Sequence, residues 1–574
     1  MKNRYIIGAV AVMSVLATTS CDDFLNDNRF PLSQQIANPE FWSNSVNVQN
    51  QINYFYEDYS GYGNGTGSGS FYWSSLNDDQ VGRTAFTNWT FTSVPASSGS
   101  FTAPYTEIRR ASLVIQGVES SSLPEPTKAN FIGLARLHRA RSYTDLIHRY
   151  NDVPLIKGVI DPSDNEALYG PRTPRNEVAD FILEDFDYAT KNIAKQSSKT
   201  ELSADLAYAQ MMEFCLFEGS WARYHQKDEV RAKKFFEEAV KAGEAIADRY
   251  PIGDNYSALY KAAAVKLGGI EPLASNPEII FMKNYAEGVF MNSITDYSCA
   301  SDGIAGLTKS AFDAFLFIDG KPLATTSCDK TDLGVPSESG VDISNLLAVR
   351  DQRLAQITQP AIFFPGLTWA ASNTVGMWSR SGYGVSKFLN PAMPSTIVNE
   401  ANKGYLCAPL YWGARLYLGI AEAKAELGSL SDTDVAKYIK PLWDRAGIDT
   451  SNLNKAYLEN MNDPANNMEG NISSLLWEIR RCRRCELMLD DNIRYWDLVR
   501  WHQLQLLDFT KNPDIALGAN VSNAPVQPEY GTTNGYINAN WDQTRTFNEK
   551  YYLYPLPLDQ LSLNPKLAPN NPGW

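Results

Sequence analysis

Between Phe131 and Tyr150 the chain is apolar on more than one face of a helix. Ile132, Ala135, Tyr143, Leu146 and Tyr150 follow three- and four-residue spacing, with Arg139 filling the gap, while Phe131, Leu134 and Leu137 occupy other faces. A helix apolar around so much of its circumference must be enclosed by other elements. The same period returns along the chain. Val178, Ile182, Phe186, Ala189 and Ile193 form a stripe behind Thr173-Pro174, which read as N-cap and first helical residue. Ala232, Phe236, Ala239, Gly243, Ile246 and Tyr250 form another, stopped by Pro251. Its Ala-x3-Phe-x2-Ala run over 232–239 resembles the second helix of a tetratricopeptide repeat. Residues 416–427 and 435–446 make a further candidate pair around Gly428, and small residues in these stripes let helices approach closely. The expected fold is mainly α, with helix hairpins stacked as a scaffold.

Between these stripes lie loop-rich stretches. Residues 61–70 alternate Gly with small polar residues and then break into Phe71-Tyr72-Trp73, while 251–410 and 509–550 are rich in Gly, Pro and Ser. A rigid scaffold carrying long loops is a common way to build a binding surface. With 574 residues, the chain is long enough to bury a large core.

The first twenty residues are an address. Lys2 and Arg4 precede the apolar stretch 6–17, followed by Thr18-Thr19-Ser20 and then Cys21. A basic start, a short apolar core and small residues before a cut site make a secretory signal. A cysteine directly after the small residues makes Cys21 the expected acylated N-terminus of a lipoprotein, with Thr18 where Leu is commonest. Residues 21–574 then form the mature chain, held to a membrane by palmitate-type acyl chains.

The formal charge of −14 excludes a nucleic-acid partner, because nothing here would displace counterions from phosphate. No Gly-x-Ser-x-Gly elbow, His-Glu-x-x-His or P-loop is present, so the chain is not expected to be an enzyme. The most tempting carboxylate cluster, Asn77-Asp78-Asp79, reads as a turn. Asp296 and Asp302 offer hard oxygen ligands in a loop and are the only candidates for calcium, without EF-hand spacing; no other metal or cofactor is expected. Cys482-Arg-Arg-Cys485 lies in an apolar-periodic helix and lacks a second ligand pair, which makes it a structural thiol pair.

Six motifs, in order, resemble the SusD/RagB family of starch-utilisation-type lipoproteins. Cys21-Asp22-Asp23-Phe24-Leu25-Asn26 is similar to the family's mature start. Residues 136–154, RLHRARSYTDLIHRYNDVP, match its helix-to-GDVPL junction, with Asn151 where Gly is commonest. Arg350-Asp351-Gln352-Arg353-Leu354 resembles its RDPRL element, and 420–428 its YAEAxAELG helix. Residues 483–501 resemble ERRxEL…RxxDLxRW, and the ending through Asn571-Pro572-Gly573-Trp574 is the most specific piece. The resemblance implies four tetratricopeptide-like helix pairs with an irregular, loop-built ligand face. It implies a cell-surface, outer-membrane location and a SusC-like TonB-dependent transporter as partner. The cargo it implies is an oligosaccharide or polysaccharide, with a peptide, as in RagB-type members, as the alternative. A surface glycoside hydrolase and a structural adhesion lipoprotein are the remaining readings.

A sugar presents apolar C–H faces and hydroxyl edges, which suit Trp and Tyr rings flanked by polar groups. Rings in loops are better candidates than rings at helical spacing. Tyr72, Trp73, Trp89, Tyr297 and Trp369 are therefore the expected ligand contacts. Arg494, Asp497 and Arg500, three residues apart, are expected to form a structural ion-pair set.

Overall fold

The structure is a computed structural model that describes residues 39–574 apart from 68, 70–75, 83–87, 196, 300–304, 338–339, 365–378, 470–471 and 541–543. The signal segment, Cys21, Tyr72, Trp73, Asp302 and Trp369 lie outside the described residues.

Among the described residues, nine helices of eight or more residues carry the scaffold: α1 (Ser45–Asn53), α2 (Gly99–Glu119), α3 (Glu125–Tyr150), α4 (Arg175–Asn192), α5 (Ala204–Trp221), α6 (Glu229–Ala247), α7 (Gly413–Glu426), α8 (Ser474–Glu486) and α9 (Ile493–Arg500). From α2 to α6 each helix packs on its predecessor. The array then continues across a long stretch of sequence, since α6 packs on α7 and α7 on α8. The close approach has a visible cause. A Cβ on Gly243 would lie 2.5 Å from Ile420, and one on Gly419 would lie 2.4 Å from Met212. Side chains there would force α5, α6 and α7 apart.

The expected helices are present, with shifted ends. Thr173 does not cap α4. It exchanges backbone hydrogen bonds with Val153 in a β-bridge, its N–H donating at 3.0 Å and its carbonyl accepting at 3.2 Å, so Pro174 becomes the cap residue. That bridge ties the end of α3 to the start of α4. α6 stops at Ala247, before Pro251. Asn151 follows α3 with φ of +63°, a conformation in which Gly and Asn are the least strained residues.

The strands are short. β1 (Gln80–Gly82), β3 (Ala305–Leu307), β4 (Val335–Ser337), β5 (Gly340–Asp342), β6 (Thr358–Ile362) and β7 (Tyr383–Val385) form one antiparallel sheet in the order β1-β3-β7-β6-β5-β4. β2 (Ile279–Lys283) pairs with β8 (Ala408–Trp412), which leads directly into α7. The fold is thus mainly α and loop-rich, with small sheets confined to the irregular region. Among the described residues no helix is long and apolar enough to cross a membrane.

Candidate functional site

The irregular region is assembled by contacts between segments far apart in sequence. The Gly-rich stretch 61–67 is clamped first. Tyr285 Oη donates to the carbonyls of Ser60 (3.2 Å) and Gly63 (2.6 Å). Asn402 Oδ1 accepts from the N–H of Gly67 at 2.7 Å and from Ser293 Oγ at 3.1 Å, and Ser293 N–H donates to the Gly67 carbonyl at 2.8 Å. Ser293 immediately precedes the short helix Ile294–Cys299, which carries Tyr297. Further along, β1 pairs with β3, setting Gln80 opposite Leu307 and Gly82 opposite Ala305. Both flanks of the Tyr72–Trp73 segment are therefore bound to both flanks of the Tyr297 segment.

A third segment joins them. Gly306 in β3 pairs with Gly384 in β7, and β7 follows the segment that contains Trp369. A Cβ on Gly306 would meet Ser379 Oγ at 1.8 Å and Ser381 Oγ at 2.3 Å, so only glycine permits this contact.

The sheet is held to the helices by buried charge. Arg494 of α9 reaches Asp78, with Nε to Oδ1 at 2.8 Å and Nη2 to Oδ2 at 2.7 Å, and Arg484 Nε of α8 reaches Asp79 Oδ1 at 2.7 Å. Burial alone would raise the Asp78 carboxyl, but the guanidiniums of Arg484 and Arg494 hold it well below the usual carboxylate range. Burial pushes Asp79 up, against Arg484. Asn77 Oδ1 accepts from the N–H groups of Asp79 (2.9 Å) and Gln80 (3.0 Å), so the expected turn is present. Its two carboxylates are committed to arginines. The ion-pair set expected on α9 is thereby corrected in one member. Asp497 and Arg500 do pair, Arg500 also grips Glu422 on α7, but Arg494 leaves that set for Asp78.

Of the two expected rings that are described, one sits at this confluence. Tyr297 is partly exposed. Trp89 is a packing ring instead: 6% exposed, stacked on Tyr551 at 4.3 Å between centroids, with its indole N–H donating to the Thr546 carbonyl at 2.8 Å. The C-terminal segment covers it, a contact no local pattern encodes. Asp296 is buried, and no group of three or more His, Cys, Asp or Glu side chains suited to a metal occurs among the described residues. Cys482 and Cys485 are both buried, and burial pushes the Cys485 thiol up to about 12.

Residues outside the expected set also shape the surface. Phe290, 36% exposed, stacks on Tyr285 at 5.3 Å, and a Cβ on Gly65 would lie 3.1 Å from its ring. Lys283 Nζ donates to the Tyr59 carbonyl at 2.9 Å, and burial pulls its amine down to about 8. The signal for Phe290 was in the sequence, a ring beside Gly288 in a loop. Asn402 and Lys283 had none, because their role depends on the Gly-rich stretch docking on them.

The comparisons with known proteins agree with this architecture. The SusD family model matches residues 277–574, more than half of the chain. A SusD-like protein of Bacteroides ovatus is 30% identical over 139 residues, an alignment spanning 23% of this chain and only 24% of that protein's length. Among solved structures, a SusD-like carbohydrate binding protein of Bacteroides fragilis superposes with a TM-score of 0.67 at 19% identity, covering 92% of this chain and 100% of the other. The surface glycan-binding protein A of Bacteroides fluxus gives 0.59 at 13% identity, covering 93% and 100%. These likenesses establish the fold, and the motif-rich C-terminal half establishes the lineage: the chain belongs to the SusD family.

Proposed function

We propose that this protein is a cell-surface glycan-binding lipoprotein. It captures oligosaccharides on its loop face and delivers them, uncleaved, to a SusC-like TonB-dependent transporter. Its anchor is the acylated Cys21 left after removal of residues 1–20. The observation that carries the reading is the bonding of Gly67 to Ser293 together with the pairing of β1 and β3. These contacts fix the flanks of the Tyr72–Trp73 segment against those of the Tyr297 segment, and β7 brings the flank of a third. Rings held on a rigid scaffold stack on sugar faces with little ordering cost. Two proteins of the same fold carry carbohydrate or glycan binding in their names. The absence of bond cleavage is supported by Asp78 and Asp79, the most tempting carboxylate pair, being locked to Arg494 and Arg484.

The test pairs two measurements. Calorimetry against a panel of plant and host oligosaccharides should find a ligand, recovered at unchanged length after long incubation. A mild-detergent purification from the outer membrane should bring down a large barrel protein. Binding of peptides alone, shortened sugars, or no barrel partner would each overturn the corresponding part.

A further inference from the structure

A cleft of about 410 Å³ opens between α3, α5, the start of α7 and α9, with Asp58, Ser60 and Tyr411 also in its lining. That volume lies within the roughly 300–1,000 Å³ of small-molecule sites. Four buried polar atoms on its lining residues make no hydrogen bond within the chain: Gln210 Oε1, Arg483 Nη1, Asn492 Oδ1 and His148 Nε2. Gln210 and Arg483 are each only 5% exposed. Each is held in place by its other end, Gln210 Nε2 donating to Tyr59 Oη at 2.9 Å and Arg483 Nε to Asp497 Oδ2 at 2.8 Å. Buried groups fixed in this way, with a donor or acceptor left over, call for a polar occupant.

The lining also specifies the occupant. Five arginines face five carboxylates, so the formal charges cancel. Arg415 is already closed on Glu213, at 2.7 and 2.6 Å, and Arg500 and Arg483 on Asp497. Burial, with the positive charge of Arg175 and Arg149, holds His148 well below its ordinary value, so it adds no charge. A strongly charged ligand would find no net counter-charge. On the apolar side, Trp496 is partly exposed at the cleft and Phe217 lies beneath it, their centroids 6.4 Å apart. Fixed donors and acceptors of both kinds, zero net charge and an aromatic wall are the requirements of a neutral polyhydroxyl ring.

We propose that this cleft is a second saccharide site, which takes one neutral sugar residue, free or at the end of a chain, between Trp496 and the Gln210–Arg483–Asn492 edge. The proposal rests on the glycan reading above, but it names different contact residues.

The test uses the full mature protein and the methyl glycosides of glucose, galactose, mannose, xylose and N-acetylglucosamine. Binding is followed by saturation-transfer NMR and calorimetry. Gln210→Leu removes the free acceptor, and Thr144→Trp blocks the mouth from a partly exposed position on α3. Melting curves identify any variant that has not folded, and two independent variants keep the test decisive. At least one glycoside should bind the wild type and lose about tenfold in affinity, equivalent to ~1.4 kcal/mol, in both variants. Val230→Ser, at an exposed position on α6, should leave that binding unchanged. Three results overturn the proposal: no glycoside binding, glycoside binding untouched in both pocket variants, or a cleft filled by zwitterionic dipeptides instead. Oligosaccharide binding that Tyr297→Ala abolishes and the pocket variants spare would leave the loop-face reading standing while removing this site.

Discussion

Arg494 and Asp78, 416 residues apart in sequence, form a two-point ion pair in which both carboxylate oxygens are engaged, at 2.8 and 2.7 Å. Both side chains are buried. This pair joins α9 of the scaffold to the turn that opens β1, so scaffold and loop sheet share one charged joint. Asp78→Asn should leave Arg494 buried without its counter-charge and cost about 3–5 kcal/mol of stability, read as a lower urea midpoint. Asp78→Leu combined with Arg494→Met should recover much of that loss. A single variant as stable as the wild type would mean that Arg484 alone secures the joint.

Rings on the loop face and rings in the core should answer truncation differently. Tyr297→Ala, and likewise Trp73→Ala or Trp369→Ala, should weaken oligosaccharide binding by about 2 kcal/mol, roughly thirtyfold, with little change in melting temperature. Trp89→Ala should instead lose about 3–5 kcal/mol of folding stability, because it empties space beside Tyr551 and removes the donor to the Thr546 carbonyl. Calorimetric titration and thermal melts on the same samples separate the two behaviours.

Gly306→Val should separate β3 from the Ser379–Ser381 turn, since even a Cβ would sit 1.8 Å from Ser379 Oγ. Overpacking of this kind costs about 1–3 kcal/mol. The loss should appear together with weaker ligand binding, because the same contact positions β7. A variant with full stability and full affinity would show that β7 is placed by other contacts.

Glu278 gives the protein a pH signature. Burial, with the Glu486 carboxylate nearby, pushes its carboxyl from 4.5 up to about 7 despite Arg445. The folded state therefore holds a proton that the unfolded chain has released between these values. The stability Glu278 contributes is fully present below 4.5 and is lost as pH rises through about 7. Urea midpoints measured across that window should fall with pH more steeply in the wild type than in Glu278→Gln. Parallel curves would place the carboxyl in its ordinary range.

Cys21→Ala should release the protein from the membrane fraction, because acyl chains are the durable membrane contact proposed here. Fractionation followed by blotting reads the outcome directly. Retention of the variant in outer membranes would assign the anchoring to the transporter interface.

Much of the scaffold was legible from spacing alone. The stripes through Ile132–Tyr150, Val178–Ala189 and Ala232–Ile246 are the buried faces of α3, α4 and α6, and Gly243 marks a close helix contact. Helical periodicity is written within a few turns of chain, so it survives reading one segment at a time. The fate of a loop ring is not written there. Trp89 and Tyr297 both stand in loop-rich sequence, yet one is closed over by Tyr551 and the other remains partly exposed. Likewise, residues three apart on α9 suggested one ion-pair set, but a carboxylate near the other end of the chain claimed Arg494. Which surface a side chain meets depends on long-range packing, where burial and charge pairing among distant segments are settled together. Sequence alone determined the helical scaffold and the family motifs; only the tertiary structure decided which loops meet, which rings stay uncovered, and where polar groups are left facing a cleft.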